Sequence, residues 1–266
     1  MPMRGSISSL KRLLSGAGLA SRRGFQAPDG QRIYAIGDIH GRADLLAEIH
    51  TQIVEDAAST PDSVEKAVIY LGDYVDRGTE SREVIELLLR QPLSGLKSVY
   101  LKGNHEETML KFMENPSIGP QWFGFGGEAT VMSYGVAVSR KTREPGYFDD
   151  ISAQLRERVP ASHKAFLAGL DLRYRAGDYL FVHAGIRPGC PIDEQDPDDL
   201  LWIRGEFLNS REDHGVMVVH GHTPTARPDV RGNRIGIDTG AFASGALTCL
   251  VLQGSGRRFL STSVRG

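Results

Sequence analysis

From position 31 onward, two hydrophobic periods alternate along the chain. Short apolar runs at 33–36, 67–71 and 99–101 each end at or near a Gly-Asp or Gly-Asn pair: Gly37-Asp38, Gly72-Asp73 and Gly103-Asn104. After each run the period becomes helical: Leu45, Leu46, Ile49, Ile53 and Val54 share one face, and Val84, Ile85, Leu88 and Leu89 form the next stripe. Strand then helix, three times over, predicts parallel strands joined by right-handed crossovers. Residues 115–135 interrupt this with glycines and aromatics, including Trp122, Phe123, Phe125, Gly126 and Gly127, and read as an irregular lid or connector. Two helices are expected over 148–169. Beyond them, runs at 170–174, 178–182, 216–219, 234–237 and 247–252 are strand-like, and several gaps are too short for helical crossovers. A second, partly antiparallel sheet is therefore expected, giving one domain of two packed sheets with outer helices.

Composition adds boundaries to this picture. With 266 residues, 40% hydrophobic and 24% charged, the chain has an ordinary globular balance and can bury roughly three quarters of its unfolded surface. A net charge of -2 gives no general attraction for nucleic acid or an anionic membrane, and no apolar run reaches the ~18 residues of a membrane span. Cys190 and Cys249 stand in unrelated contexts, which argues against a disulfide framework and for a reducing compartment, taken as the cytoplasm. The first 28 residues differ: Arg4, Lys11, Arg12, Arg22 and Arg23 are all basic, and no acidic residue precedes Asp29. Residues 1–28 read as a basic, disordered tail ahead of a catalytic domain over 29–266. Ile7, Leu10, Leu14 and Ala17 at helical spacing leave a targeting presequence or a membrane-surface helix as alternatives.

Five polar clusters follow directly on apolar runs: GDIHGR (37–42), GDYVDRG (72–78), GNHE (103–106), HAG (183–185) and GHT (221–223). Strand C-terminal ends are where open α/β sheets hold ligands. The clusters supply Asp38, His40, Asp73, Asp76, Asn104, His105, His183 and His222, all oxygen or nitrogen donors, a set suited to two divalent cations such as manganese, iron or zinc. Hydroxide attack on an anionic phosphate ester suffers charge repulsion. Two cations about 3.5–4 Å apart acidify a bridging water and neutralise the phosphoryl oxygens. A strand-end carboxylate can bridge them, and a histidine can protonate the leaving alkoxide. Arginine's planar fork suits the remaining phosphate oxygens; Arg77 lies beside the carboxylates, and Arg204 sits in LLWIRGEF. A single Gly-Asp after a strand is ordinarily only a turn or helix cap. Five such clusters, all at strand ends, are a different matter.

This series resembles the metallophosphoesterase pattern of the phosphoprotein phosphatase family over roughly residues 32–252. IDTGA (237–241) and GGEATVMSYG (126–135) are similar to its bacterial and bacteriophage lambda phosphatase branch. The resemblance implies an α+β fold in α/β/β/α layers, a sandwich of two mixed β-sheets flanked by helices. It implies one metal held by Asp38, His40 and a bridging Asp73, and a second held by Asp73, Asn104, His183 and His222, with manganese expected first and iron or zinc as alternatives. His105 would protonate the leaving oxygen with Asp76 fixing its ring, and Arg77 and Arg204 would clamp phosphate. The implied activity is serine/threonine phosphoprotein phosphatase through a metal-activated hydroxide, acting on a phosphoprotein or phosphopeptide. The alternatives are a symmetrical diadenosine tetraphosphatase and a catalytically silent binding scaffold. Two departures stand out: nothing resembles the SAPNYC segment of eukaryotic members, and Phe125 occupies a place where bacterial relatives commonly carry Asn.

Other polar residues read more plainly. His50, His163 and His214 are expected at the surface, and His220 on the strand face opposite His222. The acidic run Asp193, Glu194, Asp196, Asp198 and Asp199 lacks the glycine and glutamate positions of a calcium loop and reads as a solvated connector. Trp202 either walls the phosphate pocket or anchors the core.

Overall fold

Strand β1 (Gln31–Ile36) buries both of its faces: Ile33 and Ala35 point one way, Tyr34 and Ile36 the other. A strand covered on both sides has to lie inside a layered structure. The computed structural model, which describes residues 24–139 and 144–262, shows these layers. After β1 come α1 (Ala43–Ala58), β2 (Glu65–Tyr70), α2 (Ser81–Arg90), β3 (Lys97–Tyr100), α3 (Asn104–Glu114), α4 (Gly119–Gly124) and α5 (Gly127–Ser133). The chain continues through α6 (Tyr147–Arg158), α7 (Ala161–Ala168), β4 (Arg173–Ala176), β5 (Tyr179–Val182), α8 (Pro197–Trp202) and α9 (Gly205–Leu208). It closes with β6 (Met217–His220), β7 (Asp229–Val230), β8 (Arg234–Gly236), α10 (Ala241–Ser244), β9 (Thr248–Gln253) and β10 (Gly256–Ser261).

One sheet runs β10-β9-β1-β2-β3, parallel across β1, β2 and β3 and antiparallel at β9 and β10. The other runs β4-β5-β6-β8-β7, parallel across β5, β6 and β8 with antiparallel edges. Between the sheets lie Ile33, Ile69, Phe181, Val219, Ile237 and Leu250. The outer face of the first sheet, with Tyr34, Val68 and Tyr70, packs under helical residues such as Leu46, Ile49, Val84 and Phe112. The outer face of the second, with Leu180 and Val218, packs under Leu200 and Phe207. These are the expected α/β/β/α layers of two mixed sheets.

Several local expectations are corrected. Residues 115–135 are largely helical, not irregular: Gly126 (φ 103°) separates α4 from α5, and Trp122 is fully buried against Phe112. Short helices that bury an aromatic carry no amphipathic stripe to read. Strand β10 was not anticipated because nearly all of it is exposed, so it lacks an apolar run. His50 and His163 are buried rather than on the surface, each 2.9 Å from a tyrosine hydroxyl, Tyr70 and Tyr134 respectively. That partner takes up one ring nitrogen on a face which sequence alone makes look polar. His220 closes β6 and packs on Phe207 at 5.1 Å, while His222 lies beyond the strand end with a positive φ, so strand alternation does not relate the two rings. Within the acidic run, Asp199 is paired with Arg187 at 2.7 Å.

Of the basic tail, residues 1–23, including the proposed helical stripe, lie outside the described residues. Its last residues pack on the body: Ala27 is buried and its N–H donates to the Gly254 carbonyl at 2.9 Å, while the Gln26 N–H donates to Asp178 at 2.9 Å. Among the described residues, no helix is long and apolar enough to cross a membrane.

Candidate metal centre

The parallel strands of both sheets end at the same side of the sandwich. Asp38 follows β1, Asp73 follows β2, Asn104 and His105 open α3 after β3, His183 follows β5, and His222 follows β6. The turns that carry these groups are strained. Among the described residues, the non-glycine residues with positive φ are His40, Asp73, Asp76, Arg77 and His222. Each sits where glycine or asparagine would be easier, a cost of about 1–3 kcal/mol apiece that persists only where the surroundings fix the backbone. The glycines of the motifs have a matching reason: a Cβ on Gly103 would collide with the Asp73 carboxylate, and one on Gly221 with that of Asp38.

Lone pairs converge here with too few protons between them. The His183 Nδ1 faces the Leu71 carbonyl at 2.9 Å, which places the proton there and leaves Nε2 as an acceptor. That Nε2 lies 2.9 Å from Asn104 Oδ1, 3.2 Å from His222 Nδ1 and 3.3 Å from Asp73 Oδ1. His40 repeats the device, with Nδ1 on the Val75 carbonyl at 2.9 Å and Nε2, which has no hydrogen-bond partner, 3.4 Å from Asp73 Oδ2. Two donor groups result, His40, Asp73 and His105 in one and Asp73, His183 and His222 in the other, each within 4.8 Å and all buried. Asp73 belongs to both. Acceptors this close repel one another unless a cation lies among them, and the spacing fits nitrogen and oxygen around divalent ions. The residues present therefore suit a dinuclear metal site.

Ionisation is consistent with that use. Burial lowers His40 to about 3 and His222 to about 2, and lowers His183, so these rings are neutral and free to ligate. Burial acts to raise Asp73, but the cluster of histidines around it, in which His105 carries the charge, holds it below the usual carboxylate range. Asp38 is pushed up by burial and by the like charges of Asp238 and Asp73, a cost that a nearby cation would reverse. Asp38 lies outside both donor groups and accepts from the His222 N–H at 2.9 Å.

His105 differs from its neighbours. Burial would lower it, but Asp73 and the bond to Asp76 outweigh that and raise it to about 9. Its Nδ1 is 2.6 Å from Asp76 Oδ2, while Nε2 lies 3.3 Å from the Arg77 guanidinium. Asp76 is fully buried and accepts further bonds from Trp122 Nε1 at 2.9 Å and Thr130 Oγ1 at 2.6 Å. The imidazolium so held faces the donor groups and can give up a proton there.

The rim is cationic and aromatic. Arg77 lies over the Phe242 ring at 4.9 Å. Arg204 is exposed, and its charge disfavours protonation of His183 and His222. Trp202 is 6.3 Å from His222 and 5.9 Å from Phe125, which is itself 6.1 Å from His105, so Trp202 walls the site. The sequence reading missed Glu106, whose buried carboxylate accepts from the N–H groups of Asp73, Tyr74, Val75 and Gly103. It also missed Asp238, Trp122, Thr130 and Phe242. Asp238 and Thr130 lie within stretches already picked out for resemblance, the one signal that could have found them. A cleft of about 1210 Å³, lined by residues including Phe25, Asp178 and Arg231, shares none of these donors.

A model of the calcineurin-like phosphoesterase family matches residues 31–244, and the chain belongs to that family. It is a metallophosphoesterase. Among curated relatives, a protein of Anoxybacillus flavithermus named bis(5'-nucleosyl)-tetraphosphatase PrpE [asymmetrical] is 29% identical over 235 residues, covering 81% of this chain and 88% of the relative. One of Oceanobacillus iheyensis with the same name is 28% identical over 236 residues, covering 82% and 87%. A solved cold-active protein tyrosine phosphatase has a TM-score of 0.55 at 17% identity, over 88% of this chain and 81% of that one. This last likeness is one of fold.

Proposed function

We propose that the chain hydrolyses a phosphoanhydride bond of a bis(5'-nucleosyl) tetraphosphate. The observation that carries this reading is the match, over about four fifths of the chain, to relatives bearing that name. In the proposed site, Asp38, His40 and Asp73 would hold one cation, and Asp73, Asn104, His183 and His222 the other, with manganese first and iron or zinc as alternatives. When bound, such a pair acidifies a water and neutralises phosphoryl charge. Arg77 and Arg204 orient the phosphate oxygens. His105, held by Asp76, delivers a proton from Nε2 to the leaving oxygen.

The phosphoprotein phosphatase reading, in the bacteriophage lambda-like branch, stays as the second one because of His105. A serine or threonine alkoxide is strongly basic and needs an acid, and Asp76 fixes the His105 ring through Nδ1 at 2.6 Å, which leaves Nε2 to carry the proton that is given up. A leaving nucleotide needs that proton less. The test is turnover of diadenosine tetraphosphate against a phosphoserine peptide by manganese-loaded protein, with products resolved chromatographically. A strong preference for the dinucleotide is expected; AMP with ATP marks asymmetrical cleavage, and two ADP the symmetrical kind. Preference for the peptide would reverse the order of the two readings.

A further inference from the structure

We propose that Phe242 is the platform on which a nucleobase of the substrate stacks, and so the residue that sets preference for nucleotides; this rests on the dinucleotide reading above. Phe242 is 38% exposed, and it stands beside the donor groups, 5.7 Å from His40. Arg77 covers it at 4.9 Å and at the same time reaches His105 at 3.3 Å. One guanidinium thus links the reacting end of the site to the ring. A base on the open part of that ring completes a cation–aromatic–base stack, the arrangement by which aromatic side chains hold bases without reading their edges.

The short helix that carries the ring is held before any ligand arrives. This helix, α10, is bounded by Gly240 (φ 65°) and Gly245 (φ 73°), and Ser244 Oγ donates to the Thr239 carbonyl at 2.8 Å. Arg42 Nη1 donates to the Ala241 carbonyl at 3.2 Å. A platform held this way loses little freedom on binding. The other aromatic wall is already engaged: Trp202 and Phe125 are half-buried against each other, and Trp202 Nε1 donates to Glu107 at 3.3 Å. Of these three described aromatics, Phe242 is the one exposed.

The test compares adenosine 5'-monophosphate with ribose 5-phosphate, which share the phosphate and sugar and differ by the base. Binding to manganese-loaded protein is measured by calorimetry. Wild type should hold the adenosine compound roughly tenfold tighter, within the span of one stacked base. Phe242→Ala should bring the two within about twofold of each other, and Phe242→Trp should restore the difference. Damage to the fold would weaken both ligands together, so the ratio is read in variants that hold ribose 5-phosphate as tightly as wild type, and there it isolates the base. A ratio near one in wild type overturns the proposal, as does a ratio untouched by Phe242→Ala or one lost in Phe125→Ala instead. Tighter binding of phosphotyrosine than of phosphoserine that depends on Phe242 would assign the ring to a peptide and also overturn it. Diadenosine tetraphosphate turnover in the same preparations separates the two claims. No turnover with a Phe242-dependent ratio sinks the dinucleotide reading alone; turnover with an unaltered ratio in Phe242→Ala sinks the platform alone.

Discussion

His105 lies close enough to His40 and Asp73 to count as a donor, yet it is held as an acid. One substitution separates the two roles. In His105→Asn, metal content measured by elemental analysis should be unchanged while turnover falls roughly 10²–10⁴-fold, the range for loss of a positioned acid. Loss of a cation from that variant would make His105 a ligand. Asp73 should behave in the opposite way, because its two oxygens face different donor groups: Oδ2 toward His40 and Oδ1 toward His183. Asp73→Asn should lower occupancy of both cations together, and a normal metal count would end its bridging assignment.

At the scale of elements, the turn after β2 and the start of α3 act as one unit because Glu106 joins them. Its two oxygens accept four backbone N–H groups at 2.7–3.2 Å, three from the turn and one from Gly103. In Glu106→Gln, an amide NH₂ would face two of those donors. Unfolding of the metal-free variant in urea should then show a loss of about 2–4 kcal/mol, the cost of unpairing buried groups around a former carboxylate. A midpoint within error of wild type would mean that the turn does not depend on the charge. This unit also marks the limit of what the sequence made legible. That the motif donors come together could be read because each signal is local, an apolar run, then glycine, then a polar side chain. The support for Asp76 could not, since Trp122 and Thr130 lie 46 and 54 positions away and reach it through helices with no apolar stripe. The helix and strand layers were legible from their periods. The exposed strand β10 was not, because no buried face repeats along it.

Across the whole molecule, the sandwich buries histidines that belong to neither donor group, and they couple stability to pH. Burial lowers His50 from 6.5 to about 4, and also lowers His163. Both are therefore neutral in the folded protein where an unfolded chain would begin to protonate them. The contribution of His50 is complete above pH 6.5 and is lost as pH falls through that value toward 4, because the unfolded state takes up the extra proton, and His163 acts in the same direction. Within that window the His50 ring lowers stability by up to about 1.4 kcal/mol per pH unit. The histidines of the two donor groups titrate as well, so His50 has to be isolated by difference. His50→Phe removes its proton and also the partner of the Tyr70 hydroxyl. Urea unfolding of chelator-treated protein between pH 7.5 and 4.5 should show the variant less stable than wild type at pH 7.5 but losing stability less steeply on acidification, by about one proton's worth of slope. Parallel pH profiles for the two proteins would mean that His50 keeps an ordinary pKa, and that its burial against Tyr70 does not hold the ring neutral.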